Sequence, residues 1–196
     1  GSHWLPYIRS LGANVPVVIV GNKIDVRGAD MNNPQLEEII LPLMNDFKEI
    51  ETCVECSARE LVNIAEVFYF AQKAVLHPTA PLYDSREQVL KGPCEAALER
   101  IFRLCDGNKD GLLNDEELNN FQTICFEAPL QKAELEGVKA VIRQSCPEGL
   151  SGESVNLEGF LFLHRLFIQR GRLETTWTVL RRFGYDDDLS LREDYL

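Results

Sequence analysis

One stretch, residues 106–117, constrains the fold of this chain more than any other. It reads Asp-Gly-Asn-Lys-Asp-Gly-Leu-Leu-Asn-Asp-Glu-Glu, so oxygen-bearing side chains alternate with other residues over its first half. Gly111 stands in the sixth place, where glycine lets a backbone turn sharply without a steric cost. The stretch therefore predicts a tight loop that directs several oxygen atoms towards one centre.

This pattern fits the calcium loop of an EF-hand. The predicted ligands, at positions one, three, five, seven, nine and twelve, are Asp106, Asn108, Asp110, Leu112 through its carbonyl, Asn114 and Glu117. Glu117 brings two oxygens at once, which suits calcium better than the smaller magnesium ion. The competing interpretation is an acidic surface turn whose carboxylates stabilise the next helix. The complete ligand set favours calcium, with an affinity on the order of micromolar.

Apolar residues recur at helical spacing on both sides of the loop and predict its two helices. They are Leu98, Ile101 and Phe102 before it and Leu118, Phe121 and Cys125 after it. Residues 146–159 lie where a partner loop belongs, yet neither register considered supplies ligands. Val155-Asn156-Leu157 can still pair with Leu112 and Leu113, and residues 160–168 form an apolar helical pattern. We predict a hidden, degenerate hand at about residues 132–169 that is kept for packing.

A further helix is predicted at residues 174–183, with an apolar face of Trp177, Val179, Leu180 and Phe183. This face could occupy the groove of the EF-hand pair as a ligand mimic, since helical ligands enter such grooves by anchors at i, i+3 and i+4. The alternative is an added core helix of the same domain. The run Asp186-Asp187-Asp188 lacks a calcium loop's glycine and twelfth ligand, so we interpret it as a solvated turn.

Residues 1–78 alternate between helical and strand patterns. Helices are predicted at 4–11, 35–47 and 63–76, and strands at 15–21 and 51–56. Such alternation implies a buried parallel sheet. A polar turn follows each strand, Asn22-Lys23-Ile24-Asp25 after the first and Ser57-Ala58-Arg59 after the second.

These two turns resemble the guanine-reading motifs of Ras-like GTPases. The resemblance implies a nucleotide-binding set of Asn22, Lys23, Asp25, Ser57, Ala58 and Arg59. In that family the Asp carboxylate accepts two hydrogen bonds from the guanine edge, a role that would fall to Asp25. The amide of Ala58 would face the guanine carbonyl oxygen, and the other four residues would support the loops or flank the base. Arg59 departs from the pattern, since lysine is commoner there.

A second departure concerns the phosphates. No G-x-x-x-x-G-K-[ST] motif occurs in the 196 residues, and two strands with three helices cannot close a doubly wound sheet. We therefore expect no catalytic residues in this chain and no GTP hydrolysis by it alone. GTP or GDP with magnesium would bind only to the complete GTPase domain.

Composition narrows the remaining classes. The formal net charge of −11, without a basic stripe, argues against a nucleic-acid surface. No apolar run approaches the ~20 residues that cross a bilayer. The six cysteines lie mostly on predicted apolar faces, which favours reduced thiols in the cytosol. Cys53 and Cys56 form a C-x-x-C pair, but no second pair or histidine cluster completes a zinc site.

The order of these parts resembles the Miro family of mitochondrial Rho GTPases over essentially the whole chain. Four segments carry the resemblance most specifically: 50–57, 71–79, 159–164 and 171–185. It implies an α/β Ras-like GTPase fragment followed by a mainly α EF-hand pair, one hand complete and one hidden, with a ligand-mimic helix. The expected bounds are 1–78 for the GTPase fragment, 79–86 for a linker, 87–170 for the EF-hand pair and 171–196 for the mimic helix and the start of the next segment.

The resemblance also carries an expected function. It implies the calcium-binding regulatory part of a GTPase on the cytosolic face of the mitochondrial outer membrane, held there by a C-terminal anchor outside these residues. Motor adaptor proteins and microtubule motors are the implied partners, with calcium adjusting mitochondrial transport. The alternative is a GTP-hydrolysing switch whose EF-hands are mainly structural.

Overall fold

The computed structural model describes residues 3–12, 15–27, 33–47, 49–85 and 87–195, without the side chains of 33–37. The chain divides between Ala80 and Pro81 into two compact units. Over the described residues, no helix combines the length and the apolar character needed to cross a membrane.

The first unit is an α/β arrangement. It contains α1 (Trp4–Ser10), β1 (Val17–Gly21), α2 (Asn33–Asp46), β2 (Ile50–Glu55) and α3 (Ile64–Leu76). The strands pair in parallel, with Ile19 opposite Cys53 and Gly21 opposite Glu55. The predicted α/β alternation is confirmed, because β-branched residues fill β1 and an apolar helical pattern fills α3.

The sheet of the first unit is less buried than expected. Val20 of β1 is 41% exposed, and four apolar residues of α3 are also exposed: Phe68, Tyr69, Val75 and Leu76. The expectation of a buried parallel sheet is therefore met only in part by the described residues, because Ile50 and Val54 of β2 are buried whereas β1 has no buried residue. The physical reason is that two strands and three helices provide too little surface to cover both faces of the sheet and the whole circumference of an apolar helix.

The second unit is mainly helical. Its elements are β3 (Tyr83–Asp84), β4 (Val89–Leu90), α4 (Gly92–Cys105), β5 (Leu112–Leu113), α5 (Asp115–Phe126), α6 (Lys132–Ser145), β6 (Leu150–Ser151), β7 (Ser154–Asn156), α7 (Leu157–Gln169) and α8 (Leu173–Arg182). Strands β5, β7 and β6 form one antiparallel sheet in that order. Leu113 pairs with Val155 and Leu112 with Asn156, which confirms the predicted pairing of the two loops. The core includes Leu98, Ile101, Ile142, Trp177 and Leu180, each fully buried.

Within residues 79–86, predicted as a linker, the described residues 81–85 belong to the second unit. Leu82 is fully buried, and its carbonyl accepts a hydrogen bond from the Lys91 amide at 2.9 Å. The Tyr83 hydroxyl accepts one from Gln169 Nε2 at 2.8 Å, so the β3–β4 hairpin packs against the end of α7. Sequence patterns missed this hairpin because its strands are only two residues long.

The hidden hand is packed through two glycines. A Cβ atom placed on Gly159 would lie 2.2 Å from the Gly149 carbonyl oxygen, and one on Gly149 would lie 2.6 Å from the Gly159 Cα atom. The 3₁₀ turn Pro147–Gly149 therefore packs directly on the first turn of α7. Only glycine permits two backbones to approach this closely.

Candidate functional site

The loop at residues 106–117 connects α4 to α5, as the sequence predicts. Asp106 directly follows the end of α4 and is only 8% exposed. Gly111 has a φ of 80°, a left-handed conformation that glycine adopts without steric cost. The chain then extends into β5, which joins the loop to the hidden hand.

The first half of the loop is organised by its own oxygen atoms. The Asp106 carboxylate accepts hydrogen bonds from the amides of Asp110 and Gly111, at 3.2 and 2.8 Å. Asn108 Oδ1 accepts from the Asp110 amide at 3.0 Å, and Asp110 Oδ1 accepts from the Leu112 amide at 2.9 Å. The side chains at positions one, three and five thus fold over the turn that they line.

Glu117 ties the two ends of the loop together. Its Oε1 atom accepts hydrogen bonds from the amides of Gly107 and Asn108 at 2.9 and 3.3 Å. Its Oε2 atom accepts from the Asn114 amide at 3.0 Å, while Asn114 Oδ1 accepts from the Glu117 amide at 3.0 Å. This reciprocal capping box begins α5 and fixes positions nine and twelve relative to each other.

The donor set fits calcium in its chemistry. Three carboxylates, two amide oxygens and the Leu112 carbonyl are hard oxygen ligands, which calcium prefers. Across the described part of the chain, however, no three His, Cys, Asp or Glu side chains converge into a metal centre. The Glu117 carboxylate is engaged by backbone amides at both ends of the loop. Binding an ion through both of its oxygens would exchange these hydrogen bonds for metal contacts.

Helix α8 packs on both hands. Trp177 and Leu180 are fully buried, and the Thr176 hydroxyl lies 3.1 Å from His164 Nδ1 on α7. At the other end, Arg182 Nε donates to the Ile124 carbonyl of α5 at 2.5 Å. Burial without a charged partner lowers the pKa of His164 to about 3, so its imidazole is neutral.

Lys139 is a buried cation that sequence analysis missed. It is 1% exposed, and its Nζ atom lies 2.6 Å from Asp115, 3.5 Å from Glu136 and 3.8 Å from Glu153. Burial alone lowers the pKa of Lys139, but the hydrogen bond and charge of Asp115, together with Glu136, raise it above its ordinary value. The only sequence signal is a lysine within the apolar stripe of α6.

In the first unit, the turns after β1 and β2 lie against each other. Asn22 Oδ1 accepts hydrogen bonds from the amides of Lys23 and Ala58, at 2.7 and 3.1 Å. Asp25 Oδ1 accepts from the Ser57 hydroxyl at 2.6 Å, which orients the carboxylate. Because parallel strands end at the same edge of a sheet, two turns 36 residues apart form one structure.

Arg59 and a cavity of the first unit lie apart from these contacts. The Arg59 guanidinium is exposed and lies 3.5 Å from the Glu60 carboxylate. A cavity of about 590 Å³ lies between α2, β2 and α3, where Met44, Val54 and Phe70 contribute to its lining. None of the six residues predicted to bind the nucleotide lines it. Asn22, Asp25 and Ala58 are instead exposed.

The cysteines are free and several are buried. Burial raises the pKa of the Cys105 thiol to about 11 and those of Cys94 and Cys125 to about 12. Such thiols remain protonated and act as small apolar side chains.

Sequence similarity relates this chain to known proteins. The family model described as "EF hand associated" matches residues 128–196, which cover the hidden hand and α8. The whole chain is 58% identical to a Mitochondrial Rho GTPase 1 of Mycosarcoma maydis, of which it covers 30%. It is 53% identical to the Arabidopsis thaliana protein of that name over 99% of the chain, again covering 30% of the relative. The Cryptococcus neoformans protein of that name is 50% identical over 99% of the chain, which covers 33% of it.

The fold and the site thus define an α/β unit followed by an EF-hand unit with an associated helix. The chain belongs to the mitochondrial Rho GTPase family, as the resemblance in the sequence indicated. It spans about a third of the length of the curated relatives that it matches.

Proposed function

We propose that this chain is the calcium-binding regulatory part of a mitochondrial Rho GTPase. One observation carries the proposal: a loop with oxygen donors at all six ligand positions is closed by its own hydrogen bonds and paired through β5 and β7 with a second hand. Pairing fixes the exit of the loop, and the capping box fixes Glu117 at the start of α5. A loop organised in this way loses little conformational entropy when it takes up an ion.

The ion would be held by the six predicted ligands, with Glu117 contributing two oxygens. The hidden hand has no corresponding ligand set, so we propose one calcium ion for this chain. When bound, calcium would neutralise the carboxylates of the loop and replace the amide contacts of Glu117.

Calorimetric titration of the chain with calcium tests this proposal. We expect a stoichiometry of one, and we expect Glu117→Gln to weaken binding by at least about tenfold, because a charged bidentate ligand is lost. Glu116→Gln is the matched control, since it removes the same charge from the neighbouring exposed side chain. Two bound ions, or equal affinities for Glu117→Gln and the wild type, would contradict the proposal.

We propose further that α8 acts as an internal ligand of the EF-hand pair. Its apolar face is buried through Trp177, Val179 and Leu180, and polar contacts at its two ends join it to α7 and α5. The alternative, an added core helix, shares this packing. Deletion of α8 would separate them: an internal ligand leaves behind a folded pair that binds the α8 peptide, whereas loss of a core helix unfolds the unit.

For the first unit we propose the guanine-reading half of a Ras-like GTPase domain that holds GTP or GDP with magnesium when complete. The contacts of Asn22 with Ala58 and of Asp25 with Ser57 support this, because they join both motifs into one surface. The exposed apolar side of α3 also supports it, since a helix that is apolar all round is normally covered by a further layer.

A nucleotide-binding assay on the complete domain tests the guanine proposal. We expect Asp25→Asn to weaken GTP and GDP binding by about a hundredfold or more, because donors on the base lose their acceptor. Asp46→Asn, the same change at an exposed carboxylate at the end of α2, should leave binding unchanged. Equal affinity of the complete domain for ATP and GTP would refute the assignment.

We propose that the complete protein acts on the cytosolic face of the mitochondrial outer membrane, anchored by a segment outside these residues, and joins mitochondria to microtubule motors through adaptor proteins. Membership of the mitochondrial Rho GTPase family supports the location. Tracking mitochondria in cells that carry full-length Glu117→Gln tests the regulatory part. Movement that still responds to calcium would favour the alternative, a GTP-hydrolysing switch whose EF-hands are mainly structural.

A further inference from the structure

Lys139 occupies an unusual place on α6. It shares the buried face of the helix with Leu135, four residues earlier, and Ile142, three residues later. The stem of the lysine is therefore packed inside the second unit, while its ammonium group reaches carboxylates that are themselves at the surface. A charged group is rarely buried this deeply unless it is paired.

The partners of Lys139 come from both hands. Asp115 is the first residue of α5, which leaves the calcium loop, and Glu153 lies in the turn between β6 and β7 of the hidden hand. The Asp115 contact, at 2.6 Å, is the shortest of the three. Arg143, one turn further along α6, contacts Glu153 at 3.3 Å and shares only that partner with Lys139.

Asp115 stands next to the residues that fix the loop. It follows Asn114, whose side chain caps α5, and precedes Glu117 by two positions. An ion pair at the first residue of α5 therefore holds the turn that also contains Glu117. Because the lysine stem is packed among apolar residues, the ammonium is a fixed point and not a mobile surface charge.

We propose that Lys139 is a positioning residue: by pairing with Asp115 it holds the first turn of α5, and with it Glu117, ready for calcium. This inference rests on the proposed calcium-binding function. On this proposal, one determinant of the calcium affinity lies on α6, the helix that enters the hidden hand. The hidden hand, which has no ligands of its own, thus contributes to calcium binding by residues 106–117.

The charge of Lys139 also has an opposite effect on calcium binding. A cation near the loop also repels calcium, so its removal would strengthen binding if repulsion dominated. The three carboxylate partners already offset this charge, and solvent screens exposed groups. Positioning is therefore the stronger effect. The two effects predict changes of opposite sign in the calcium affinity when Lys139 is replaced.

Calorimetry on the wild type and four variants separates the two effects. We expect Lys139→Met, which keeps the length and apolar stem, to weaken calcium binding by about threefold to tenfold. Arg143→Met removes an equal charge from the same helix without touching Asp115, and should leave the affinity unchanged or slightly higher. Asp115→Asn should weaken binding like Lys139→Met, and the double variant should be no weaker than the stronger single variant. Tighter binding by Lys139→Met, or additive losses, would overturn the proposal.

A second measurement needs no calcium. When a chelator removes calcium, the hydrogen-exchange rates of the Glu116 and Glu117 amides report how well Asn114 caps α5. We expect faster exchange in Lys139→Met and Asp115→Asn but not in Arg143→Met. If Lys139→Met does not fold, Asp115→Asn carries both measurements, because it leaves the lysine in place. Wild-type chain that binds no calcium would refute the proposed function, whereas unchanged exchange in the variants would refute the positioning role.

Discussion

His164 should make the second unit sensitive to mild acid. Its side chain is 3% exposed, and its Nδ1 atom lies 3.1 Å from the Thr176 hydroxyl. Its ring packs edge-on against the Phe160 ring, with 4.8 Å between the ring centroids. Burial lowers its pKa to about 3, whereas the pKa of a histidine in the unfolded chain is about 6.5. The unfolded chain therefore binds more protons between these values, so this contribution to stability is complete above the unfolded pKa and decreases as the pH falls below it.

The size of the effect follows from the two pKa values. Between about pH 7 and pH 5 the folded imidazole stays neutral while the unfolded one becomes protonated, which removes about 2 kcal/mol from the free energy of unfolding. Urea unfolding in chelator at the two pH values measures this loss. Trp177 reports the second unit by fluorescence once Trp4 is replaced by Phe, since the chain has two tryptophans.

His164→Gln provides the control, because every other titrating group is retained. This variant will be less stable at both pH values, but its loss between them should be smaller than that of the wild type by about 2 kcal/mol. If the wild type and His164→Gln lost equal stability on acidification, the histidine would not be held neutral and the reasoning would fail.

Two further predictions concern packing in the second unit. Trp177→Ala should lower the free energy of unfolding by about 3 to 5 kcal/mol, because it empties a fully buried site in the core of the second unit; circular dichroism during urea unfolding measures it, with the half-buried Thr178→Ala as the control. Gly159→Ala should cost about 1 to 3 kcal/mol, since its Cβ atom would lie 2.2 Å from the Gly149 carbonyl oxygen. Gly137→Ala has open space around it in α6 and should stabilise the unit slightly, so equal effects of the two glycine variants would contradict the close approach.

The loop and its helices could be predicted because their signals are local. Every ligand position of 106–117 is fixed by spacing along the chain, and the segment Val155-Asn156-Leu157 lies where the spacing predicts a partner for Leu112 and Leu113. The approach of the turns after β1 and β2 likewise follows from two parallel strands that end at one edge. The contact of the Ala58 amide with Asn22 was not predicted, because the resemblance assigns that amide to the guanine carbonyl oxygen. In these cases one short segment, or two strands of one type, carries all the information.

Features that depend on distant residues could not be predicted. The burial of Lys139 depends on carboxylates that α5 and the β6–β7 turn bring to α6, and a periodic pattern records only that a lysine interrupts an apolar stripe. The 79–86 segment resembles a linker because Leu82 is one apolar residue among turn formers. The full burial of Leu82 follows only from its packing in the core of the second unit. The exposure of one side of α3 depends on how many strands and helices cover it, which the pattern within α3 does not record.

The contacts of α8 determine how a calcium signal could spread through the second unit. The helix is attached at Thr176 to α7 and at Arg182 to α5, while Trp177 and Leu180 fill the space between. Each buried anchor contributes about 1.5 to 3 kcal/mol, and a tethered helix has an effective concentration in the millimolar range. An external helix would have to overcome both terms before it entered the same space. A wide opening of the hands would also break the Arg182 contact with the Ile124 carbonyl, because α5 would move relative to α8. For a loop that binds calcium as proposed, the least costly response is therefore a local rearrangement within residues 106–117, in which Glu117 exchanges its amide contacts for the ion, transmitted through the first turn of α5.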